Sequence, residues 1–230
     1  MKNIKTINLQ PLDIIFFSGT SIISNIIKRS SKYRRGMVAS HLALVVNKEV
    51  LPHLDCMEEG KLYIVESTYK SESKVYHGYK CGTQLRDLHE AVNGYINRTF
   101  SISDSCQRPR AYVAKMKNNP WENEKNRPVI RAKIIEWYDN IIRYGYHSTF
   151  IPQLGSIWGG FRKFGDRYGS YGNKLYCSQI IKTLLQDLGL TYDRNVHIKP
   201  VDFLDIINVN TGEYLFDDPV EVCCDYTIYC

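Results

Sequence analysis

The chain has 230 residues, a length that fits one domain or two, and it carries a net charge of +6. Its 43% hydrophobic and 23% charged residues are ordinary values for a globular protein, so general disorder is excluded and a packed core is expected. The positive charge is too small to indicate nucleic-acid binding unless the basic residues cluster. We therefore expect a globular protein without a nucleic-acid partner.

The seven cysteines form no CxxC pair and have no zinc-type spacing relative to the six histidines. This pattern argues against a disulfide framework and a structural metal, and it favours reduced thiols in a cytosol-like compartment. Cys223, Cys224 and Cys230 crowd the C-terminus, but a prenylation signal would require cysteine where the chain has Thr227. We expect neither a metal nor an organic cofactor.

The apolar segment nearest the N-terminus, Leu12–Phe17, is interrupted by Asp13 and is too short for a signal peptide or a membrane span. No other segment approaches the length of a membrane span. These observations predict a soluble protein in the cytoplasm of the cell that makes it.

In chain order, hydrophobic periodicity predicts strands interleaved with helices. The predicted strands are Ile14–Phe17, Ser40–Val46, Leu62–Glu66, Thr83–Leu88, Ala111–Met116 and one near Tyr226–Tyr229. The predicted helices are Ile22–Ile27, Val129–Ile142 with Gly145 as its stop, Cys177–Leu188 before Gly189, and Pro200–Ile207, while Asn93–Arg110 is predicted to be loop. The pattern indicates one α+β domain over residues 1–230, with a small antiparallel sheet packed against helices, a glycine- and aromatic-rich loop at 147–173 and a cysteine-containing tail at 208–230.

The helix that starts near Cys177 is the most informative predicted element. A cysteine in the first turns of a helix lies near exposed N–H groups and the positive end of the dipole, which favour thiolate over thiol. Cys177 also lies on the apolar face of this helix, which is typical of a small buried hydrophobic residue. The helix alone therefore leaves both interpretations open.

Strand lengths predict a partner for this cysteine. If the strands 40–46 and 62–66 are antiparallel neighbours, pairing Val45 or Val46 with Leu62 brings His41 beside Glu66 or Ser67. A thiol nucleophile needs a base and a group that orients the base, so Cys177, His41 and Glu66 are candidates for a catalytic triad. The alternatives are a histidine that ends a strand and a surface carboxylate.

The most basic run, from Lys28 to Arg35, and the aromatic loop supply candidate binding residues. A phosphate, an acidic substrate or an anionic membrane surface would suit the basic run, although a solvated loop is the commoner outcome. The residues singled out for substrate or surface binding are Lys28, Arg29, Lys32, Arg34, Arg35, Trp158 and Tyr176.

Four segments also carry a family resemblance: Gln10–Phe17, Ser40–Val46, Val65–Ser67 and Tyr176–Gln179. They resemble the permuted NlpC-type papain-fold cysteine hydrolases, in particular the YiiX-like group that includes poxvirus and giant-virus members. The resemblance implies a circularly permuted papain-like fold, with Cys177 as nucleophile, His41 as base and Glu66 as the orienting group. The chain departs from that pattern at Pro11-Leu12, in its long segments 93–110 and 148–172, and in its C-terminal cysteines.

The resemblance implies a thiol hydrolase that cleaves an amide bond in a peptide, an isopeptide or an amino-acid amide. A viral protein of this kind would act in the host cytoplasm or the virion. Two alternatives stay open: a lipid acyltransferase or thioesterase similar to lecithin–retinol acyltransferase, with peripheral membrane contact, and a catalytically silent viral module that binds a host ligand.

Overall fold

A computed structural model describes residues 1–19, 22–31, 33–68, 82–96, 109–142, 145–146, 174–175, 177–192 and 199–223. The strands are β1 (Lys2–Asn3), β2 (Ile14–Ser18), β3 (His41–Asn47), β4 (Leu62–Thr68), β5 (Gly82–Asp87), β6 (Arg110–Ala114), β7 (Gly145–Tyr146), β8 (Lys174–Leu175) and β9 (Val220–Cys223). The α-helices are α1 (Ile22–Ser30), α2 (Leu88–Ile96), α3 (Arg127–Ile141) and α4 (Cys177–Asp187). Short 3₁₀ turns cover Ile4–Thr6, Pro120–Glu122 and Pro200–Asp205.

The described strands form a single sheet in the order β1-β9-β6-β2-β3-β4-β5-β7-β8. All neighbouring strands are antiparallel except the pairs β1–β9 and β7–β8, which are parallel. The predicted α+β class with a mostly antiparallel sheet is confirmed. The sheet is larger than predicted because two-residue strands extend both of its edges, and strands that short have no periodicity to detect.

The two faces of the sheet bury separate hydrophobic clusters because alternate residues of a strand point to opposite sides. On one face, Leu42 and Leu44 of β3 share a cluster with α3 and α4. On the other face, Ala43 and Val45 share a cluster with α2 and the segment around Ile4. The central strand β3 is buried on both sides, which explains its continuous apolar sequence.

Several predicted elements are confirmed with altered bounds. The helix predicted from Val129 begins at Arg127, and the predicted helix over 200–207 is a 3₁₀ turn ending at Asp205. Gly145 does not cap α3 but begins β7. The predicted loop over 93–110 is wrong in its first residues, since α2 continues to Ile96.

The C-terminal part of the chain also differs from prediction. Its strand lies at Val220–Cys223, and the predicted strand at 226–229 falls outside the described residues, as do the loop at 147–173, Cys224 and Cys230. Lys182 of α4 is only 4% exposed although it is charged, and α3 and the 3₁₀ turn at Pro200–Asp205 both pack against this helix. Within the described ranges, no helix is long and apolar enough to cross a membrane.

Candidate active site

The three residues predicted to act together lie on three different elements. His41 is the first residue of β3, Glu66 is in the second half of β4, and Cys177 is the first residue of α4. The apolar face of α4 packs against β3 and β4, and Cys177 belongs to that buried cluster at 8% exposure. This packing brings the N-terminal end of α4 to the start of β3, where the Cys177 thiol hydrogen-bonds the His41 side chain.

The Glu66 carboxylate contacts both His41 and Arg86, a cationic residue that was not predicted from the sequence. Glu66 Oε2 lies 2.6 Å from His41 Nε2, and Arg86 Nη1 donates to Glu66 Oε1 over 2.7 Å. The side chains of His41, Glu66 and Arg86 are 15%, 3% and 12% exposed, so the ion pairs are largely shielded from water. Because Nε2 faces Glu66, the His41 nitrogen left for Cys177 is Nδ1.

The predicted strand register is wrong by one or two residues, and the predicted contact is nevertheless present. In the observed register Asn47 pairs with Leu62 and Leu44 with Val65, so continuing the pairing sets His41 opposite Thr68. Glu66 precedes Thr68 by two residues in β4, so its side chain leaves the same face of the sheet as that of His41. The long glutamate side chain reaches the imidazole diagonally across the two strands.

The charges at this site favour an ionised cysteine–histidine pair. Burial opposes both charges, but a thiolate at Cys177 and the hydrogen bonds to Cys177 and Glu66 raise the pKa of His41 to about 10. Burial likewise opposes a thiolate at Cys177, but the imidazolium of His41, its hydrogen bond and the backbone N–H groups of Leu42 and Ser178 lower the pKa of Cys177. The thiolate and the imidazolium therefore stabilise one another.

The carboxylate remains ionised despite its burial. Desolvation alone would raise the pKa of Glu66, but the hydrogen bond and charge of His41, together with Arg86, lower it to about 2. A carboxylate flanked by two cations is charged throughout the physiological range. Glu66 therefore holds the imidazole in one orientation and stabilises its protonated form.

An aromatic layer supports the imidazole. The Phe17 ring stacks on His41 with 5.8 Å between ring centroids, and the Tyr95 ring packs on Phe17 at 4.5 Å. Burial raises the pKa of Tyr95 to about 12, and its neutral hydroxyl is hydrogen-bonded to Ser40 and Ser24. These contacts tie α2, α1 and the start of β3 together around His41.

Arg86, Tyr95 and Gln84 were not predicted from the sequence to lie near His41, for different reasons. Arg86 is two residues from Gln84, which pairs with Glu66, so β4–β5 pairing would have found it had the register been known. Tyr95 lies on α2 but within the segment 93–110 that was predicted to be loop, so no sequence signal connected it to His41. Gln84 is fully buried beside Glu66, and no hydrogen-bond partner is found for either end of its amide within the described part of the chain.

Two of the five basic residues predicted to bind a substrate or surface, Arg34 and Arg35, form intramolecular ion pairs. Arg34 forms an ion pair with Asp205 at 3.0 Å, and Arg35 forms one with Asp218 at 3.4 Å while lying 3.9 Å over the Tyr214 ring. These acidic partners reduce the positive potential that an anion would meet. Lys28 is half-buried and Arg29 is exposed on α1, whereas Lys32, Trp158 and Tyr176 lie outside the described residues.

The remaining histidines do not join this site in the described part of the chain. His53 pairs with Asp139 of α3 at 3.3 Å, and His89 is on α2, while His77, His147 and His197 fall outside the described ranges. Among the described residues, no group of three or more His, Cys, Asp or Glu side chains is arranged to hold a metal ion.

No protein-family model matches this chain, and a search of characterised proteins finds no match. The classification of this protein is therefore based on its fold and on the geometry of the site. They define an α+β protein with a mostly antiparallel sheet and a buried cysteine–histidine–glutamate arrangement at one end of the sheet.

Proposed function

We propose that this protein is a thiol hydrolase that cleaves amide bonds with Cys177, His41 and Glu66, on a circularly permuted papain-like fold. The observation that carries the proposal is the coupled pair itself: a helix-start cysteine with a lowered pKa, hydrogen-bonded to a histidine that a buried carboxylate orients. A thiolate is the nucleophilic form of cysteine, and its activation by a neighbouring imidazolium is the usual route to thiol catalysis.

The order of the residues along the chain supports the permuted form of the fold. The histidine strand and the carboxylate strand both precede the cysteine helix, and β3 and β4 are antiparallel neighbours against which α4 packs. This arrangement agrees with the resemblance of the segments around His41, Glu66 and Cys177 to the permuted NlpC-type group.

In the proposed reaction, the Cys177 thiolate attacks the amide carbonyl carbon and forms a tetrahedral oxyanion. The His41 imidazolium donates its Nδ1 proton to the departing amine as the carbon–nitrogen bond breaks, leaving a thioester. A water molecule, deprotonated by the now neutral His41, attacks the thioester and releases the carboxylic acid. The products are one amine and one acid, and the thiolate–imidazolium pair is restored.

The N-terminus of α4 would stabilise the oxyanion. The first N–H groups of a helix have no partner inside the helix, and they point toward negative charge at its start. Since α4 begins at Cys177, the backbone N–H of Cys177 is close to the carbon that its own sulfur attacks. Donors held in place in this way typically account for a rate factor of about 10² to 10³ each.

Alkylation kinetics test the proposal without knowledge of the substrate. Iodoacetamide labelling followed by peptide mass spectrometry measures each cysteine separately, so the exposed Cys56 serves as an internal control. We expect Cys177 to react at pH values well below those that Cys56 requires, and His41→Ala to remove this difference. If Cys177 in the folded protein follows the same pH dependence with and without His41, the activated-thiol mechanism is wrong.

A further inference from the structure

We propose that the face of the Phe17 ring holds the His41 side chain in its charged imidazolium form through a cation–π contact, which makes Phe17 a positioning residue of the candidate active site. The consequence of this contact for catalysis rests on the proposed function. The two rings are stacked, with 5.8 Å between their centroids and 26° between their planes. A cation within about 6 Å of a ring centroid is attracted by the negative face of the ring.

Strand pairing and burial keep the Phe17 ring beside the imidazole. Phe17 of β2 pairs directly with His41 of β3, so the two side chains leave the same face of the sheet side by side. Phe17 is 1% exposed, and the Tyr95 ring of α2 packs on it with 4.5 Å between centroids. The Tyr95 hydroxyl is itself hydrogen-bonded to Ser40 and Ser24. The Phe17 ring is therefore fixed by its neighbours on the sheet and on the helix.

Burial makes this contact stronger than it would be in water. The side chain of His41 is 15% exposed, and cation–π contacts are strongest where the cation is shielded from solvent. Desolvation is also the largest influence on the pKa of His41, and it opposes the charge. An aromatic face offsets part of that cost without adding another full negative charge, which would compete with the thiolate for the imidazolium.

The charged groups that act on His41 come from two other elements. Negative charge reaches the imidazolium from Cys177 of α4 and from Glu66 of β4, whose other oxygen accepts from Arg86 of β5. These groups raise the pKa of His41 to about 10. The Phe17 ring adds an uncharged contribution of the same sign on the β2 side.

The remaining elements around the two rings bring no charge to this contact. The strand β2 contains no charged residue, and the two cations of α1 lie in its last turn, whereas its first turn contacts Tyr95. On α2, His89 and Glu90 lie in the first turn and Tyr95 in the last. Burial raises the pKa of Tyr95 to about 12, so its hydroxyl is neutral when His41 titrates.

The two ionisations of the site respond differently to the cation–π contact. His41 is charged both before and after Cys177 loses its proton, so the contact is the same in both states. Loss of the His41 proton at higher pH removes the cation and with it the contact. Phe17 therefore raises the pKa of His41 and leaves that of Cys177 unchanged. In the proposed reaction, the acid that protonates the departing amine consequently stays charged to a higher pH.

Fluorinated phenylalanines at position 17 test the contact with little change of shape. Each fluorine withdraws electrons from the ring and weakens its negative face. We expect the pKa of His41, followed by ¹H–¹⁵N NMR, to fall in steps from phenylalanine through the 4-fluoro and 3,5-difluoro residues to 3,4,5-trifluorophenylalanine. The full fall should be about 0.5 to 1 in pKa. The acid limb of Cys177 alkylation by iodoacetamide should stay at the same pH throughout the series.

Phe16 provides the matched control. It is the neighbouring residue of β2, is 0% exposed and packs into the cluster on the opposite face of the sheet. The same fluorinated residues at position 16 should leave the pKa of His41 unchanged. An equal fall from both positions would attribute the effect to altered packing of β2 and would overturn the proposal.

Phe17→Leu gives a second test with a natural residue. Leucine keeps an apolar side chain and removes the aromatic face, so the pKa of His41 should fall at least as far as with trifluorophenylalanine. A His41 pKa that is constant through the fluorinated series, or a shifted acid limb of Cys177 alkylation in that series, overturns the assigned role of Phe17. Alkylation of Cys177 that does not depend on His41 overturns the proposed function instead, and the titration of His41 is measured independently of it.

Discussion

His41 Nε2 and Glu66 Oε2 are 2.6 Å apart, although the two residues are not paired with each other across β3 and β4. Glu66 Oε2 contacts Nε2 of the imidazole, so Nδ1 is the nitrogen left for Cys177. The carboxylate therefore fixes the orientation of the ring, and the other nitrogen remains for the thiol.

Replacing Glu66 by glutamine should lower the pKa of His41. Glu66 contributes both a hydrogen bond and a negative charge to the forces that raise the pKa of His41 to about 10. In Glu66→Gln the charge disappears, so the imidazolium should lose its proton at a lower pH. A titration of the His41 ring followed by ¹H–¹⁵N NMR measures this change.

The exposed His53 provides the control for that titration, since it pairs with Asp139 and is remote in sequence from the altered contact. Its resonances at neutral pH should have the same chemical shifts in both proteins. An unaltered titration of His41 in a folded Glu66→Gln protein would contradict the assigned role of the carboxylate.

Removing Arg86 should strongly destabilise the protein. Arg86→Met leaves Glu66, which is 3% exposed, with one cationic partner in place of two. Breaking a buried ion pair by deleting one member typically costs about 3 to 5 kcal/mol of unfolding free energy. Urea denaturation of Arg86→Met, Glu66→Gln and the double variant gives the coupling between them, and we expect the double variant to lose less than the sum of the single losses.

The exposed pair Lys61–Glu58, with an N–O distance of 2.7 Å, is the control for Arg86. This pair has the same N–O distance as Arg86–Glu66, but both of its side chains are exposed to solvent. Lys61→Met should therefore leave the urea midpoint unchanged. Additive losses in the Arg86 cycle would mean that the two side chains stabilise the fold independently.

Asp13 should make the stability of the fold depend on pH. Its side chain is 1% exposed, and burial raises its pKa from 3.8 to about 6, although the backbone N–H groups of Gln10 and Met116 donate to it. Because the folded pKa exceeds the unfolded one, the contribution of this group to stability is complete below pH 3.8 and is lost as the pH rises through 6. The loss amounts to about 3 kcal/mol at most.

Asp13→Asn removes this titration and reports on it. As the pH increases from 4 to 7, the unfolding free energy of the wild-type protein should fall relative to that of Asp13→Asn. Urea denaturation of both proteins at several pH values measures these free energies. Subtracting one from the other removes the contributions of the titratable groups that the two proteins share. A difference that is constant over this range would show that Asp13 has the same pKa in the folded and unfolded states.

Adding a methyl group at Gly19 should disturb the support of His41. A Cβ at this position would lie 2.6 Å from Ser24 Oγ and 2.7 Å from Tyr95 Oη, which is too close for either atom. The Tyr95 ring is held by Phe17, so relief requires movement of packed groups rather than of a free side-chain end. Gly19→Ala should lower the unfolding free energy by about 1 to 3 kcal/mol and slow the alkylation of Cys177.

Gly94 on α2 offers a control, because a Cβ there would have no heavy atom within 4 Å. Gly94→Ala should preserve the alkylation rate and should not lower the unfolding free energy, since alanine favours the helix. Equal behaviour of the two variants would exclude the close contact at Gly19 as the cause.

The sequence predicted the main elements because their signals are local. The apolar runs of β2 and β3, the periodic helix that follows Cys177 and the stop at Gly189 each depend on neighbouring residues, and all are observed. The candidate triad followed from the same elements and from the family resemblance of the segments around His41, Glu66 and Cys177. The bounds of α3 and the extent of α2 were less accurate, because helix ends depend on packing as much as on propensity.

The sequence by itself determined which residues are chemically suited to the site: a cysteine at a helix start, a histidine at the start of a strand and a carboxylate on the return strand. Only the tertiary structure decided the diagonal contact of His41 with Glu66, the second cation at Arg86 and the burial of the Gln84 amide beside them. These depend on strand register and on burial. Both are set by contacts between residues far apart in the chain, and local sequence patterns do not specify such contacts.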